Sequence, residues 1–311
     1  MTGKKIAVLA TGGTLAGKAA SAADNIGYTA AQLGVEELLA AIPALHGAPL
    51  VTEQVAQVDS KDMSFELWRQ LALRCAHYLA QEDVAGLVIT HGTDTLEETA
   101  YFLHAVLAPA KPVVLTCAMR PATALAPDGP QNIADALAIA AAEGAHGVVA
   151  VCAGTIHGAW DVAKQHTYRL DAFTSGDAGP IGYVEEGRLR LVRPWPTAAV
   201  GAQAALQKWT AAKRWPRVEI VMNYAGAGAE VVEALVAQGI DGIVAAATGN
   251  GTLHHDLEAA LLAAQARGVK VVRSTRCAQG RVLSPAGAGL PDSGGLAPVK
   301  ARIALMLELL A

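Results

Sequence analysis

The chain has 311 residues, of which 52% are hydrophobic and 17% are charged, and its formal net charge is −4. This apolar content excludes a disordered chain, and a balance of 24 basic against 28 acidic residues without a basic stripe disfavours nucleic acid as a partner. Single cores stop growing at about 250–300 residues, so we expect two domains. Because no stretch of about 20 residues is both apolar and uncharged, we expect no membrane partner.

The first part of the chain alternates short apolar runs with amphipathic segments. Strands are predicted over Lys5–Ala10, Leu50–Val58, Gly86–Thr90, Pro112–Thr116 and Gly147–Cys152. Helices are predicted from an N-cap at Ser64 to about Ala80, over Leu96–Leu107 behind a capping box of Thr95 and Glu98, and from Pro130 to about Glu143. The strands are continuously apolar, which is typical of a parallel sheet covered by helices on both faces.

The pattern changes in the middle of the chain and then resumes. We expect a long loop over Ala153–Gly179 and a hairpin over Tyr183–Leu189. A second series has strands over Val218–Met222, Gly242–Ala246 and Val269–Arg273, and helices over Glu230–Gln238, His255–Arg267 and Val299–Leu310. The predicted class is α/β, with a larger, mostly parallel N-terminal domain over 1–193, a proline-containing linker over 194–216 and a smaller parallel α/β domain over 217–311.

Polar residues follow three of the predicted strands, at the edge where ligands bind in open α/β sheets. The three tetrads are Thr11-Gly12-Gly13-Thr14, Asp59-Ser60-Lys61-Asp62 and His91-Gly92-Thr93-Asp94. A single threonine in such a place is an ordinary turn or cap residue. Two Gly-Thr strand ends in one sheet favour a site, because glycine allows close backbone approach and the hydroxyls supply candidate nucleophiles.

Other classes of site fit the sequence less well. The run from Gly12 to Gly17 lacks the G-x-G-x-x-G spacing of a dinucleotide site, and the acid after the second strand, Asp59, comes too late. The four cysteines contain no C-x-x-C pair, and the nine histidines contain no pair with metal spacing. We therefore expect neither a nicotinamide cofactor nor a metal.

Two motifs resemble the signatures of the bacterial-type L-asparaginase family. They are Thr11-Gly12-Gly13-Thr14-Leu15-Ala16-Gly17 and the ten residues from His91 to Ala100, and the similarity extends over nearly the whole chain. The resemblance implies two α/β domains and hydrolysis of L-asparagine to L-aspartate and ammonia through a threonine nucleophile and an acyl-enzyme. It further implies a small amino-acid amide as substrate, no cofactor, no metal, and a homotetramer built as a dimer of dimers.

The resemblance also assigns roles to single residues. Thr14 corresponds to the family's nucleophile, and Tyr28 to the tyrosine that assists it. Thr93, Asp94 and Lys164 correspond to a second catalytic group. Ser60 and Asp94 correspond to the residues that hold the α-carboxylate and the α-ammonium of the substrate, and the backbone amides near Thr93 and Ala118 could stabilise an oxyanion.

This chain departs from the family pattern at three places. Lys61 replaces the usual glutamine beside Ser60, Thr252 replaces an asparagine or serine, and no glutamate lies between Ser274 and Leu296. An ammonium at Lys61 would attract a substrate carboxylate and repel an α-ammonium, and we expect weak binding of asparagine. The alternative is that Lys61 turns outward to solvent.

Other activities and the location are also predicted from the sequence. A glutaminase-asparaginase, or an amidase for a related amide, is the alternative within the same chemistry, and a catalytically silent amino-acid-binding protein is the alternative from another class. The first apolar segment is too short for a secretory signal, so we expect a cytoplasmic protein. The segment from Gly17 to Thr29, rich in small residues, is expected to act as a lid.

Overall fold

The computed structural model describes residues 3–40, 42 and 47–310, and the chain divides into two compact units between Leu206 and Gln207. Strands β1 to β10 of the first unit cover Lys5–Gly12, Leu50–Val58, Val84–Thr90, Pro112–Thr116, Gly147–Cys152, Thr155–Gly158, Ala163–Lys164, Phe173–Thr174, Gly182–Glu185 and Arg188–Leu191. Helices α1 to α4 cover Val35–Ala40, Phe65–Leu79, Leu96–Leu107 and Gly129–Ala141. Helix α5, Ala202–Ala211, spans the point of division.

The first unit is built on an eight-stranded sheet with the order β10-β9-β6-β5-β4-β3-β1-β2. The five strands β2, β1, β3, β4 and β5 pair in parallel in that order, and β6, β9 and β10 continue the sheet antiparallel. Every residue of β4 and β5 is buried. Such continuous burial requires the unbroken runs of valine, leucine and alanine seen in the sequence, and it places the polar residues at the strand ends.

The second unit has its own parallel sheet and its own core. Strands β11, β12 and β13 cover Val218–Met222, Gly242–Ala247 and Lys270–Thr275, and they pair in that order. Helices α6, α7 and α8 cover Glu230–Ala237, His255–Ala266 and Pro298–Leu309. The α/β class and the two predicted sheets are confirmed. In the described part of the chain, no helix has both the length and the apolarity needed to cross a membrane.

Three local predictions differ from the structure. The predicted loop over Ala153–Gly179 contains β6, which lies between β5 and β9 in the main sheet, and β7 and β8, which form a separate two-stranded sheet. The predicted linker over 194–216 contains helix α5. The predicted capping box is wrong, because the Thr95 hydroxyl donates to the Ser60 carbonyl at 2.8 Å and makes no cap hydrogen bond at the start of α3. By contrast, Ser64 caps α2 as predicted, accepting from the amide of Leu67.

Candidate active site

The two Gly-Thr strand ends lie side by side because their strands are neighbours. Strands β1 and β3 pair in parallel with Ala10 opposite Thr90, so both chains leave the sheet at the same edge. Beyond them the backbones of Gly13 and Gly92 are in contact, since a Cβ added to Gly13 would lie 2.5 Å from the Cα of Gly92. Gly13 also has a φ of 82°, which favours glycine.

Thr14 follows Gly13 in a short 3-10 turn, Thr14–Ala16, and is buried. Its Oγ1 lies 2.6 Å from the phenolic oxygen of Tyr28. The ring of Tyr28 packs over Gly17, where a Cβ would come within 2.8 Å of the tyrosine Cδ2. A proton can therefore pass between the threonine hydroxyl and the phenol along one short hydrogen bond.

The second threonine belongs to a three-residue cluster with an ion pair. The Nζ of Lys164 donates to Thr93 Oγ1 at 2.7 Å and to Asp94 Oδ1 at 2.6 Å. Thr93 is buried, whereas the side chain of Asp94 is 53% exposed. Asp94 therefore holds the lysine from the open side while the lysine reaches the threonine inside.

Lys164 belongs to β7, whose pairing with β8 brings it to the site. Its backbone amide donates to Glu97 Oε2 at 3.3 Å, and Glu97 lies on α3 just after Asp94. Near the end of β8, Ser175 Oγ lies 2.9 Å from Nδ1 of His157, a buried histidine of the main sheet. The small hairpin that carries the lysine is thus anchored on both of its strands.

Ser60 and Lys61 have different surroundings although they are adjacent. Ser60 is buried, and its Oγ accepts from the backbone amide of Asp94 at 3.1 Å. Lys61 is exposed, and its Nζ lies 2.7 Å from a carboxylate oxygen of Asp59 and 3.3 Å from one of Asp62. These hydrogen bonds, that to Asp59 above all, raise the pKa of Lys61. The Ser60 hydroxyl therefore links the second tetrad to the third by a hydrogen bond. The Lys61 ammonium instead pairs with the two acids of its own turn.

The loop that presents Ala118 is fixed by two side chains that the sequence did not single out. The carboxylate of Asp128 accepts from the backbone amides of Met119 and Arg120 at 2.9 and 3.0 Å. The amide group of Asn132 donates to the carbonyl of Cys117 at 2.9 Å. These contacts enclose the buried Ala118 between two fixed peptides, which suits a preorganised oxyanion donor.

His91, directly before Gly92, is fully buried, and burial lowers its pKa to about 4. Its Nδ1 lies 2.8 Å from the carbonyl oxygen of Gly92, which can only accept, so Nδ1 carries the proton. Its Nε2 lies 2.9 Å from the hydroxyl of Thr99, to which Trp68 Nε1 donates at 2.9 Å. The neutral ring therefore links the backbone of the third tetrad, at Gly92, to the buried hydroxyl of Thr99.

The structure brings the predicted site residues together in two groups. Thr14 and Tyr28 form one, and the cluster of Thr93, Asp94 and Lys164 forms the other, with Ser60 bonded to its backbone. No site role was predicted for Glu97, which lies within the second signature, or for Asp128 and Asn132. Asp128 stands before a Gly-Pro helix start, which is the one signal that could have marked it.

Within the described residues, one group of side chains has ligand atoms close enough together to hold a metal ion. The ligand atoms of His254, His255 and Asp256 lie within 4.8 Å of one another at the start of α7. The expectation that the protein holds no metal stays a prediction. His255 and Asp256 are exposed, and all three residues belong to the second unit rather than to the threonine clusters.

Comparisons with known proteins agree with the two signatures. Residues 5–197 match the family model of the asparaginase N-terminal domain, and residues 217–311 match that of the glutaminase/asparaginase C-terminal domain. The chain is 39% identical to L-asparaginase 2 of Escherichia coli, over 98% of this chain and 88% of the relative. It is 38% identical to the glutaminase-asparaginase of Pseudomonas fluorescens, over 98% and 86%. It also resembles the crystal structure of a probable cytoplasmic L-asparaginase from Campylobacter jejuni, with a TM-score of 0.91, 38% identity, and coverage of 98% and 95%.

Proposed function

The chain belongs to the asparaginase family, and on that premise we propose that it is an amidohydrolase that converts L-asparagine to L-aspartate and ammonia. The observation that carries the proposal is the pair of threonine groups on adjacent strand ends. Thr14 is hydrogen-bonded to the phenol of Tyr28, and Thr93 to the Lys164 ammonium, which also binds a carboxylate. An amide is a poor electrophile, so dividing its hydrolysis into two steps through an ester lowers the barrier.

In the first step, the Oγ1 of Thr14 attacks the carbonyl carbon of the side-chain amide. The phenolic oxygen of Tyr28, 2.6 Å away, accepts the threonine proton while the phenol passes its own proton to the departing nitrogen, which leaves as ammonia. The bond between carbon and nitrogen breaks, and an ester to Thr14 forms. The backbone amides near Thr93 and Ala118 are the donors for the oxyanion.

In the second step, water attacks the ester, and its proton leaves through the cluster around Lys164. The Nζ of Lys164 contacts both Thr93 and Asp94, so this amine can accept a proton from Thr93 once it has released its own. The carbonyl–oxygen bond to Thr14 breaks, the threonine oxygen takes a proton from the Tyr28 phenol, and aspartate is released. The proton that Lys164 released to solvent is replaced by the proton from water, and solvent returns one proton to the Tyr28 oxygen. Thr93 is thus the group that positions and activates the water.

The remaining predicted residues bind the substrate. Ser60 and Asp94 are proposed to hold the α-carboxylate and the α-ammonium, since Ser60 lies under the amide of Asp94 and the Asp94 carboxylate is half exposed. The ion pairs of Lys61 with Asp59 and Asp62 favour a place for its ammonium at the rim, away from the substrate.

Glutamine is a second candidate substrate, because one of the similar proteins carries the name glutaminase-asparaginase. We further propose that the protein is a homotetramer built as a dimer of dimers and that it acts in the cytoplasm. Light scattering tests the tetramer, and an active monomer would contradict it. Cell fractionation tests the cytoplasmic location.

The test of the activity is ammonia release over a panel of L-asparagine, L-glutamine and their D-forms. We expect turnover of L-asparagine and a fall in kcat of about 10³-fold or more for Thr14→Ala and for Thr93→Ala. Thr52→Ala, on β2, is the control and should retain activity. Wild-type turnover by Thr14→Ala would disprove the nucleophile assignment, and no ammonia from any amide would favour a silent binding protein.

A further inference from the structure

The segment from Gly17 to Thr29 reaches Thr14 through one side chain, that of Tyr28. The two ends of the segment are pinned together by a short antiparallel bridge, in which the backbones of Lys18 and Thr29 exchange hydrogen bonds of 3.0 and 2.9 Å. Tyr28 comes directly before this bridge. The direction of its side chain therefore depends on the turn that precedes it.

That turn is built by Asp24. Its Oδ1 accepts from the backbone amides of Ile26 at 2.9 Å and Gly27 at 2.7 Å. The chain also packs closely here, because a Cβ on Gly27 would lie 2.4 Å from the other carboxylate oxygen of Asp24. The carboxylate thus fixes the two peptides immediately before Tyr28.

The other half of the segment is held differently, by contacts with the loop over 121–125. The amide of Ala19 donates to Thr123 Oγ1 at 2.9 Å, and the amide of Leu125 donates to the carbonyl of Ala22 at 3.1 Å. These bonds anchor residues 17–22 to the body of the unit. The stretch between this anchor and Tyr28 is shaped by Asp24 itself.

We propose that Asp24 is a positioning residue that aims the Tyr28 phenol at Thr14. This inference rests on the proposed role of Tyr28 in activating the nucleophile. Among the residues that the structure describes, the Asp24 carboxylate accepts hydrogen bonds from the amides of Ile26 and Gly27 and none from Thr14, so it acts through the turn. Because misplacing a reacting group by about 1 Å can cost about 10²-fold in rate, loosening this turn should lower kcat much more than it raises KM.

The chemistry of the turn provides a matched pair of variants. The amides of Gly27 and Ile26 lower the pKa of Asp24, so the carboxylate is an ionised acceptor at neutral pH. Asp24→Asn removes the charge but keeps an oxygen that can accept both amides. Asp24→Ala removes the acceptor. If Asp24 acts by holding the turn, Asp24→Asn should lower kcat little and Asp24→Ala should lower it strongly. If its charge matters instead, both variants should lower kcat strongly.

The experiment is a double-mutant cycle on the whole protein with Asp24→Ala, Tyr28→Phe and the double variant, together with Asp24→Asn. We expect Asp24→Ala to lower kcat by about tenfold or more with KM within about threefold, and Asp24→Asn to stay within about threefold of the wild type. In the Tyr28→Phe background, Asp24→Ala should cause no further loss, because the group it aims is gone.

Hydrogen exchange at the amides of residues 26–29 gives a readout that does not depend on activity. It should quicken in Asp24→Ala and stay near the wild-type rate in Asp24→Asn. Unchanged exchange in Asp24→Ala, or an equal loss of kcat with and without the phenol, overturns the proposal. A Tyr28→Phe variant with wild-type kcat would instead refute the catalytic role of Tyr28, and the exchange data would still decide whether Asp24 holds the turn.

Discussion

Gly13 and Gly92 lie backbone against backbone, and neither position has room for a side chain. A Cβ on Gly13 would lie 2.5 Å from the backbone nitrogen and Cα of Gly92, and a Cβ on Gly92 would lie 2.5 Å from Ser60 Oγ. Each glycine directly precedes one of the two threonines. This contact therefore sets how closely Thr14 and Thr93 approach each other.

Gly92→Ala should separate the strand ends and lower kcat. The new methyl group would meet Ser60 Oγ at 2.5 Å and Ser60 Cβ at 2.7 Å, so Ser60 or the third tetrad must shift. Overpacking of this kind costs about 1–3 kcal/mol of stability, and a displaced Thr93 should cost about 10²-fold in kcat. Steady-state kinetics and urea unfolding measure the two effects.

The matched control for this variant is Gly34→Ala. Its added methyl group would meet nothing within 4 Å. It should retain activity and most of its stability. Equal kinetics for Gly92→Ala and Gly34→Ala would show that the contact between the glycines does not position the threonines.

Most of the fold could be predicted because its strands are long apolar runs with polar ends. Pro112–Thr116 has the predicted bounds, since full burial leaves an unbroken apolar pattern in the sequence. Leu50–Val58 also has the predicted bounds, although its residues are half-buried or exposed and include Glu53 and Gln54. Strands β7 and β8 were missed because two-residue strands give no periodicity. Helix α5 was missed because its alanines and polar residues lie among the prolines used to place the linker.

The candidate site was predictable as far as its residues stand in motifs. Thr14 and Thr93 follow glycine at strand ends, and that pattern is local in the sequence. Glu97 and Asn132 were not predictable, because each acts on the backbone of a segment far away in sequence. The contact of Thr95 was not predictable either, because its hydroxyl donates to the distant carbonyl of Ser60 rather than capping the helix.

Lys61→Gln should leave the KM for asparagine within about twofold of the wild type. The sequence alone suggested that the ammonium opposes binding, but in the structure Asp59 and Asp62 already pair with it at an exposed site. Exposed ion pairs of this kind contribute little, so removing the ammonium should change the binding of asparagine little. A tenfold lower KM in steady-state kinetics would restore the repulsion argument, and a tenfold higher KM would place the lysine on the substrate carboxylate.

Thr123→Val should loosen the lid segment. The hydroxyl of Thr123 accepts from the amide of Ala19, and valine has the same shape without the acceptor. Losing one such bond costs about 1 kcal/mol, so amide exchange and proteolysis over 18–24 should rise about fivefold. Mass-spectrometric hydrogen exchange measures this effect, and added aspartate should slow the exchange in both proteins.

Thr123→Ser is the control for the lid, because it keeps the accepting oxygen. It should exchange at the wild-type rate over 18–24. Exchange over β4, Pro112–Thr116, should be equal in all three proteins. If valine and serine variants exchange alike, the hydroxyl does not hold the segment, and the lid is anchored by its backbone contacts alone.

Stability should fall in mild acid because of His91. Burial lowers its pKa to about 4, whereas an unfolded histidine titrates near about 6.5. Between about pH 4 and about pH 6.5, His91 is protonated in the unfolded chain but stays neutral in the folded protein. The contribution of His91 is therefore fully present above about pH 6.5 and is lost as the pH falls towards 4.

His91→Asn isolates this contribution, since asparagine cannot be protonated but can still donate to the Gly92 carbonyl. Its baseline stability will be lower, because Thr99 loses a partner and the smaller side chain leaves space. The pH dependence is the test. Between about pH 7 and about pH 5, the wild type should lose about 2 kcal/mol more unfolding free energy than His91→Asn. Urea titrations at one fixed protein concentration measure both slopes, which include the same carboxylate contributions. Parallel slopes would mean that burial does not lower the pKa of His91 and that the folded protein takes up this proton in the same pH range as the unfolded chain.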